Sequence, residues 1–143
     1  MTYLLDTDTC IHLLNRRSGY EAILGHIDGR VYGDVLISAI TLAELRFGVA
    51  KSLRRAPNLE RLERLLARFE SLDFDPAAAA AYGAVRAELE SRGTPIGPLD
   101  TLIAAQAVAT RAVLVTSNVG EFSRVRGLRW ENWFATPPVR DQR

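Results

Sequence analysis

Acidic side chains in this chain follow short apolar runs or open the helices that come after them. They lie far apart in the sequence: Asp6, Asp8, Glu44, Asp100 and Glu121. In open α/β sheets, the groups that do chemistry gather at the carboxyl ends of the strands and at the starts of the following helices. These acids are therefore expected to meet at one edge of a sheet and to repel one another, because neither the single lysine nor an obvious nearby arginine at each position neutralises them.

A hard divalent cation would relieve that repulsion, because Mg²⁺ and Mn²⁺ prefer carboxylate and water oxygens. Such a cation lowers the pKa of a bound water, orients a phosphodiester and stabilises the leaving oxygen. The pattern therefore predicts metal-dependent phosphoryl chemistry with one or two ions. Taken singly, each acid also has an ordinary interpretation. Asp6 or Asp8 could cap a helix, and the dipole of a helix could favour Asp100 in its first turn.

Short apolar runs alternate with longer helical patterns along the chain. The predicted strands cover residues 3–5, 35–37, 72–74, 113–115 and 128–130. The predicted helices cover 10–15, 20–27, a stretch capped by Ser38 or Thr41 that runs to about 52, a stretch that starts at 57, 76–91, and 98–111. This alternation predicts a mostly parallel central sheet covered on both faces, a single α/β/α sandwich. We expect residues 1–134 to form one domain and 135–143 to form a flexible tail.

The composition narrows the class of protein. A chain of 143 residues with 48% hydrophobic residues and a net charge of +1 is long enough for one core and too apolar for disorder. The single cysteine, Cys10, excludes a disulfide framework. Without a signal peptide or an apolar run of membrane-spanning length, we expect a soluble protein of the cytoplasm. Local arginines could still bind nucleic acid; the candidates are Arg46, Arg54, Arg55, Arg124 and Arg126.

Four segments together resemble a known family. They are residues 3–8 (YLLDTD), 38–48 (SAITLAELRFG), 98–105 (PLDTLIAA) and 115–122 (VTSNVGEF), the last followed by Gly127 and Leu128. Their order and separation resemble the PIN-domain ribonucleases, specifically the VapC-type toxins of toxin–antitoxin pairs, over about residues 1–134. The resemblance implies that Asp6, Glu44 and Asp100 form a metal-binding core and that Glu121 supplies a fourth acid.

The same resemblance assigns supporting positions. Thr116 and Asn118 match the polar positions before the fourth acid, and Asn118 stands where many relatives carry aspartate. Glu121 is therefore favoured over Asn118 as the fourth metal ligand. Asp8 occupies a position often filled by asparagine, so we expect it to support the site without binding the metal.

The implied activity is endonucleolytic cleavage of RNA, such as transfer or ribosomal RNA, with Mg²⁺ or Mn²⁺ and an activated water. The products would carry a 3′-hydroxyl and a 5′-phosphate, and translation and growth would stop. The family also implies a homodimer and a small antitoxin whose arginine pairs with the acids in place of metal. An apolar stripe at Leu59, Leu62, Leu65, Leu66 and Phe69, with nearby Phe47, could serve the dimer, the antitoxin or the core.

Two alternatives remain open on the sequence. Asp6-Thr7-Asp8-Thr9 matches the start of haloacid dehalogenase-type phosphatases, in which the first Asp is the nucleophile and the second the general acid. That chemistry also needs a lysine near the later strands, and Lys51 lies in another region. The second alternative is an inert PIN-like module that only binds RNA or protein. A serine or cysteine hydrolase is not indicated, and His12 and His26 are expected to pack or to lie on the surface.

Overall fold

The computed structural model describes residues 1–134 and contains five parallel strands in the order β3-β2-β1-β4-β5. The strands are β1 (Tyr3–Leu5), β2 (Val35–Ser38), β3 (Glu70–Leu72), β4 (Val113–Val115) and β5 (Arg129–Glu131). The central strand β1 pairs with β2 and β4, so that Leu5 lies opposite both Ile37 and Val115. The carboxyl ends of these three strands consequently meet at one edge, as a parallel sheet requires.

Helices cover both faces of the sheet, and the predicted α/β/α sandwich is confirmed. They are α1 (Thr7–Asn15), α2 (Tyr20–Ile27), α3 (Ala39–Ala50), α4 (Arg55–Leu66), α5 (Pro76–Ser91), α6 (Pro98–Thr110) and α7 (Val119–Phe122). Successive strand residues point to opposite faces. Tyr3 and Leu5 join one core with residues of α1, α2 and α4, whereas Leu4 joins a second core with residues of α5 and α6.

Several predicted boundaries were wrong by one to three residues. Helix α1 begins at Thr7 rather than at residue 10, because the Asp6 side chain already caps it. Helix α4 begins at Arg55, two residues before Pro57, since proline fits in a first turn where its missing N–H is not needed. Strand β3 starts at Glu70, two residues before the predicted start, where it pairs with β2. Strand β5 starts at Arg129, one residue after the predicted start, where it pairs with β4.

Helix α7 was not predicted. Its single turn places Phe122 in the core with only 1% of its surface exposed, and that burial holds a segment too short to show helical periodicity. The tail expected over residues 135–143 lies outside the described residues. Within the described part of the chain, no helix has the length and hydropathy required to cross a bilayer.

Candidate active site

Asp6 follows β1 and caps α1 from the centre of the sheet edge. Its Oδ1 accepts hydrogen bonds from the Thr9 backbone N–H at 2.8 Å and from the Thr9 hydroxyl at 2.6 Å. The side chain is only 3% exposed. Burial raises the pKa of Asp6 above its ordinary value, while hydrogen bonds from Thr116 and Thr9 act in the opposite direction. Asp6 is thus a fixed, desolvated carboxyl group.

Glu44 reaches the same edge from the second turn of α3. Its Oε1 accepts a hydrogen bond from the Thr7 hydroxyl at 2.7 Å, and the Thr7 oxygen lies 3.0 Å from the hydroxyl oxygen of Thr41. The first residue of α1 thereby ties down a carboxylate of α3. This arrangement leaves the half-buried Glu44 in one orientation.

Asp100 and Glu121 lie together on the other side of Asp6. Glu121 Oε1 accepts a hydrogen bond from the Gly97 backbone N–H at 2.6 Å, and its Oε2 accepts one from the Asn118 amide at 2.6 Å. A methyl group on Gly97 would lie 3.4 Å from Glu121 Oε1 and 3.5 Å from Asp100 Oδ2. Pro98 starts α6 directly after Gly97, so Asp100 falls in its first turn.

Electrostatic coupling joins the four acids. Burial and the negative charges of Glu121, Asp6 and Glu44 raise the pKa of Asp100 to about 6. Within residues 1–134, none of these four carboxylates forms an ion pair with a lysine, arginine or histidine. The structure thus brings together the acids that the sequence placed at one sheet edge, and their charges are uncompensated.

The three supporting residues occupy different positions around this group. Thr116 is buried, accepts the Asn118 backbone N–H at 2.9 Å and hydrogen-bonds Asp6. Asn118 is exposed and orients Glu121 through its amide. Asp8 lies beside the cluster, where its carboxylate contacts the Ser117 hydroxyl at 3.3 Å and His12 Nδ1 at 3.6 Å.

Three contributing residues have little or no signal in the sequence. Thr9 had a local signal, because it stands three residues after a capping aspartate. Thr7 and Gly97 had none, since they contact acids that are 37 and 24 residues away along the chain. Their roles depend on how the helices pack, which no local pattern encodes.

The donor set suits a hard cation but does not form a finished coordination shell. Four carboxylates without a compensating charge are the ligands that Mg²⁺ and Mn²⁺ prefer. Burial raises the pKa of the nearby Cys10 thiol, which keeps it protonated and unsuited to bind metal. In the part of the chain that the structure describes, no three Asp, Glu, His or Cys side chains are already clustered as ligands. Glu44 Oε1 and both carboxylate oxygens of Glu121 accept hydrogen bonds from Thr7, Gly97 and Asn118, which hold these side chains at the sheet edge.

An apolar groove of about 780 Å³ adjoins Glu44. Ile11, Leu14, Phe47 and Leu99 form apolar parts of its wall, and Phe47 is 64% exposed. Its basic lining residues are Arg17, Lys51 and Arg61.

Most of the stripe on α4 and just after it belongs to the core. Leu62 and Phe69 are buried, and Leu65 and Leu66 pack against the same cluster. Leu59, by contrast, is 41% exposed.

The two histidines have packing roles, as expected. The His26 ring stacks on Trp133 with 4.8 Å between centroids, and the His12 ring meets the edge of Phe134 at 4.5 Å. The phosphatase alternative is not favoured, because the single lysine, Lys51, lines the groove with residues of α1, α3 and α4 and not with residues of the later strands β4 and β5.

Known proteins resemble this chain over nearly its whole length. The family described as PIN domain matches residues 3–128. A ribonuclease VapC2 from Rickettsia felis is 39% identical over 134 residues, which cover 93% of this chain and 98% of that protein. A tRNA(fMet)-specific endonuclease VapC from Salmonella typhimurium is 40% identical over 133 residues, with the same two coverages of 93% and 98%.

Solved structures of VapBC complexes contain chains with the same fold as this chain. VapBC2 from Rickettsia felis, bound to a DNA fragment from its promoter, contains a chain with a TM-score of 0.83 and 39% identity, covering 93% of this chain and 99% of that one. VapBC-1 from nontypeable Haemophilus influenzae gives a TM-score of 0.85 and 32% identity, covering 94% and 100%. The chain therefore belongs to the PIN-domain family and, within it, to the VapC ribonucleases of toxin–antitoxin systems.

Proposed function

We propose that Asp6, Glu44, Asp100 and Glu121 hold one or two Mg²⁺ or Mn²⁺ ions with which the chain cleaves RNA. The observation that supports this most directly is that four carboxylates lie at one sheet edge without an ion pair to a basic side chain within residues 1–134. Burial and the charges of the three other acids also raise the pKa of Asp100 to about 6. Nucleases of this family are in general metal-dependent. Bound at this site, a divalent cation would activate a water and stabilise the charge that develops on the phosphodiester.

The chain's own residues prepare the site in distinct ways. Thr9 and Thr116 hold Asp6, Thr7 holds Glu44, and Gly97 with Asn118 holds Glu121. Asp100 has no such fixed donor in the described structure, and a bound cation would relieve the repulsion from the other acids that helps to raise its pKa. Asp8, Thr116 and Asn118 act as supporting residues.

Transfer RNA is the substrate class that we propose, because the relative from Salmonella typhimurium is named as a tRNA(fMet)-specific endonuclease. The chain would act in the cytoplasm, where transfer RNA is used, and it would stop translation and growth. We assign the nuclease domain to residues 1–134 and place the tail, residues 135–143, outside it.

A cognate antitoxin is a proposed protein partner, since the solved relatives are VapBC complexes. A second copy of the chain is the other partner that we propose. The groove beside Glu44 offers exposed Phe47 and Leu99 to an apolar segment of the antitoxin. An arginine in that segment would pair with the acids and exclude the cation.

The test is cleavage of bulk transfer RNA by the purified, antitoxin-free chain with Mg²⁺ or Mn²⁺, with EDTA, and with the Asp100→Asn variant alongside. We expect discrete fragments that carry 5′-phosphates, that disappear with EDTA and that the variant does not produce. Cleavage that persists in EDTA, or in the variant at the wild-type rate, would overturn the metal-site assignment. Intact RNA with folded wild-type chain would favour the inert binding module.

A further inference from the structure

Three arginines lie around the loop and the short helix that position Glu121. Arg92 follows α5, while Arg124 and Arg126 follow α7; we call these three residues the arginine cluster. The Arg124 guanidinium donates a hydrogen bond to the Pro95 carbonyl at 3.2 Å, two residues before Gly97. The Arg124 backbone N–H bonds to the Glu121 carbonyl at 3.2 Å. The cluster therefore starts one helical turn from the proposed metal site.

The arginine cluster carries excess positive charge. Its acidic partner is Glu88, whose Oε1 lies 2.7 Å from Arg92 Nε and 3.3 Å from Arg126 Nε. Arg92 also donates a hydrogen bond to the Arg124 carbonyl, and its side chain is 31% exposed. It therefore connects the loop after α5 to the loop after α7. The Arg126 side chain is 76% exposed. Arg126 can leave Glu88 for another anion without leaving that carboxylate unpaired, because Arg92 stays with it.

Buried residues fix the backbone that carries the two outer arginines. Phe122 and Val125 are 1% and 4% exposed, respectively, and belong to the core under α5 and α6. Arg124 and Arg126 flank Val125 and are both exposed. Because this backbone is already fixed, binding through these arginines does not have to order the loop as well.

We propose that Arg124 and Arg126 bind phosphates of the RNA strand next to the bond that is cut, and that Arg92 holds them in place. The proposal rests on the proposed ribonuclease function and identifies which arginines position its substrate. Arginine is suited to this role because its planar fork of N–H groups matches phosphate oxygens. Arg46, another candidate from the sequence, pairs with Glu63 at 3.2 Å, and no second arginine within residues 1–134 pairs with that glutamate to replace it.

The experiment measures binding of fluorescently labelled bulk transfer RNA to the full chain at several salt concentrations. Every protein carries Asp100→Asn, so that no RNA is cut during the measurement. Arg124→Gln and Arg126→Gln are compared with Arg64→Gln. Arg64 is a matched control because it is 71% exposed and pairs with one glutamate, Glu60, at 3.7 Å. Thermal unfolding verifies that all variants are folded.

We expect Arg124→Gln and Arg126→Gln each to weaken binding several-fold at about 0.1 M salt. Each should reduce the slope of log affinity against log salt by about 0.7–0.9, as the loss of one phosphate contact predicts. Arg64→Gln should leave both quantities unchanged. Slopes and affinities equal to those of the control would overturn the inference while the wild-type chain still cleaves RNA. Failure of the wild-type chain to cleave would instead overturn the proposed function, and this inference with it.

Discussion

Asp100 shows how a common residue type acquires unusual chemistry. Burial comes first among the causes of its raised pKa, and three neighbouring carboxylates add to it. An isolated aspartate is ionised well below pH 6, so the difference arises from the surroundings alone. At the same edge, hydrogen bonds compensate Asp6 for part of its burial. Both acids thus have raised pKa values in the metal-free site, and hydrogen bonds offset only part of the effect of burial at Asp6.

Asp100→Asn is expected to stabilise the metal-free chain at pH 7.5. Because the pKa of Asp100 is higher in the folded chain, about 6, than in the unfolded chain, its folded state binds more protons between about pH 4 and 6. Stability is therefore lost as the pH rises through that window. Asparagine removes this loss, and we expect a gain of about 1–2 kcal/mol at pH 7.5. Urea unfolding in EDTA at pH 4 and pH 7.5 measures it; an equal effect at both pH values would contradict the argument.

Thr7→Val should lower the rate of RNA cleavage about tenfold, because it removes the hydroxyl that donates to Glu44 at 2.7 Å. Thr7→Ser keeps the hydroxyl and should restore most of the rate. The Mn²⁺ concentration that gives half-maximal cleavage should rise in Thr7→Val and return towards wild type in Thr7→Ser. If Thr7→Val and Thr7→Ser lose activity equally, the cleavage rate depends on side-chain packing at Thr7 and not on the hydrogen bond that positions Glu44.

Helix starts are the elements that deliver the acids to the sheet edge. Asp6 caps α1, Asp100 and Glu121 lie in the first turns of α6 and α7, and Glu44 lies in the second turn of α3. A helix start carries a partial positive charge, which favours carboxylates there. The loop before α6 adds a constraint, since the backbone at Gly97 passes against two of the carboxylates.

Gly97→Ala tests that loop. The new methyl group would contact Glu121 Oε1 and Asp100 Oδ2 at ordinary distances of 3.4 and 3.5 Å, so the fold should survive with a nearly unchanged melting temperature. The methyl group fills space beside both carboxylates. We therefore expect the rate of RNA cleavage to fall about tenfold and to depend less on the Mn²⁺ concentration. Gly120→Ala is the matched control, because open space surrounds that position next to Glu121. Equal cleavage rates in the two variants would show that the space beside Gly97 is not used.

The whole molecule combines a negative centre with apolar and basic surroundings. The four acids lie between the groove that contains Phe47 and Leu99 and the arginine cluster on the loops after α5 and α7. A net charge of +1 conceals this division. An RNA strand and an antitoxin segment would thus use different flanks of one site.

Expression of the chain without a partner should arrest bacterial growth, since RNA cleavage would proceed unopposed. The Asp100→Asn chain should not arrest growth at the same level of soluble protein, and co-expression of the cognate antitoxin should restore growth with the wild-type chain. Growth curves together with immunoblots of both proteins provide the measurement. Normal growth with abundant wild-type protein would contradict the assignment of a toxin.

The sequence alone determined the alternation of strands and helices and the edge at which Asp6, Glu44, Asp100 and Glu121 meet. These features follow from local hydrophobic patterns and from the rule that parallel strands place their carboxyl ends together. Tertiary packing decided the rest. It brought Thr7 to Glu44 and Gly97 to Glu121, set α7 through the burial of Phe122, and shifted β3 and β5 to the positions that pair with their neighbours. Those contacts join residues far apart along the chain, so their geometry exists only once the helices have packed on the sheet.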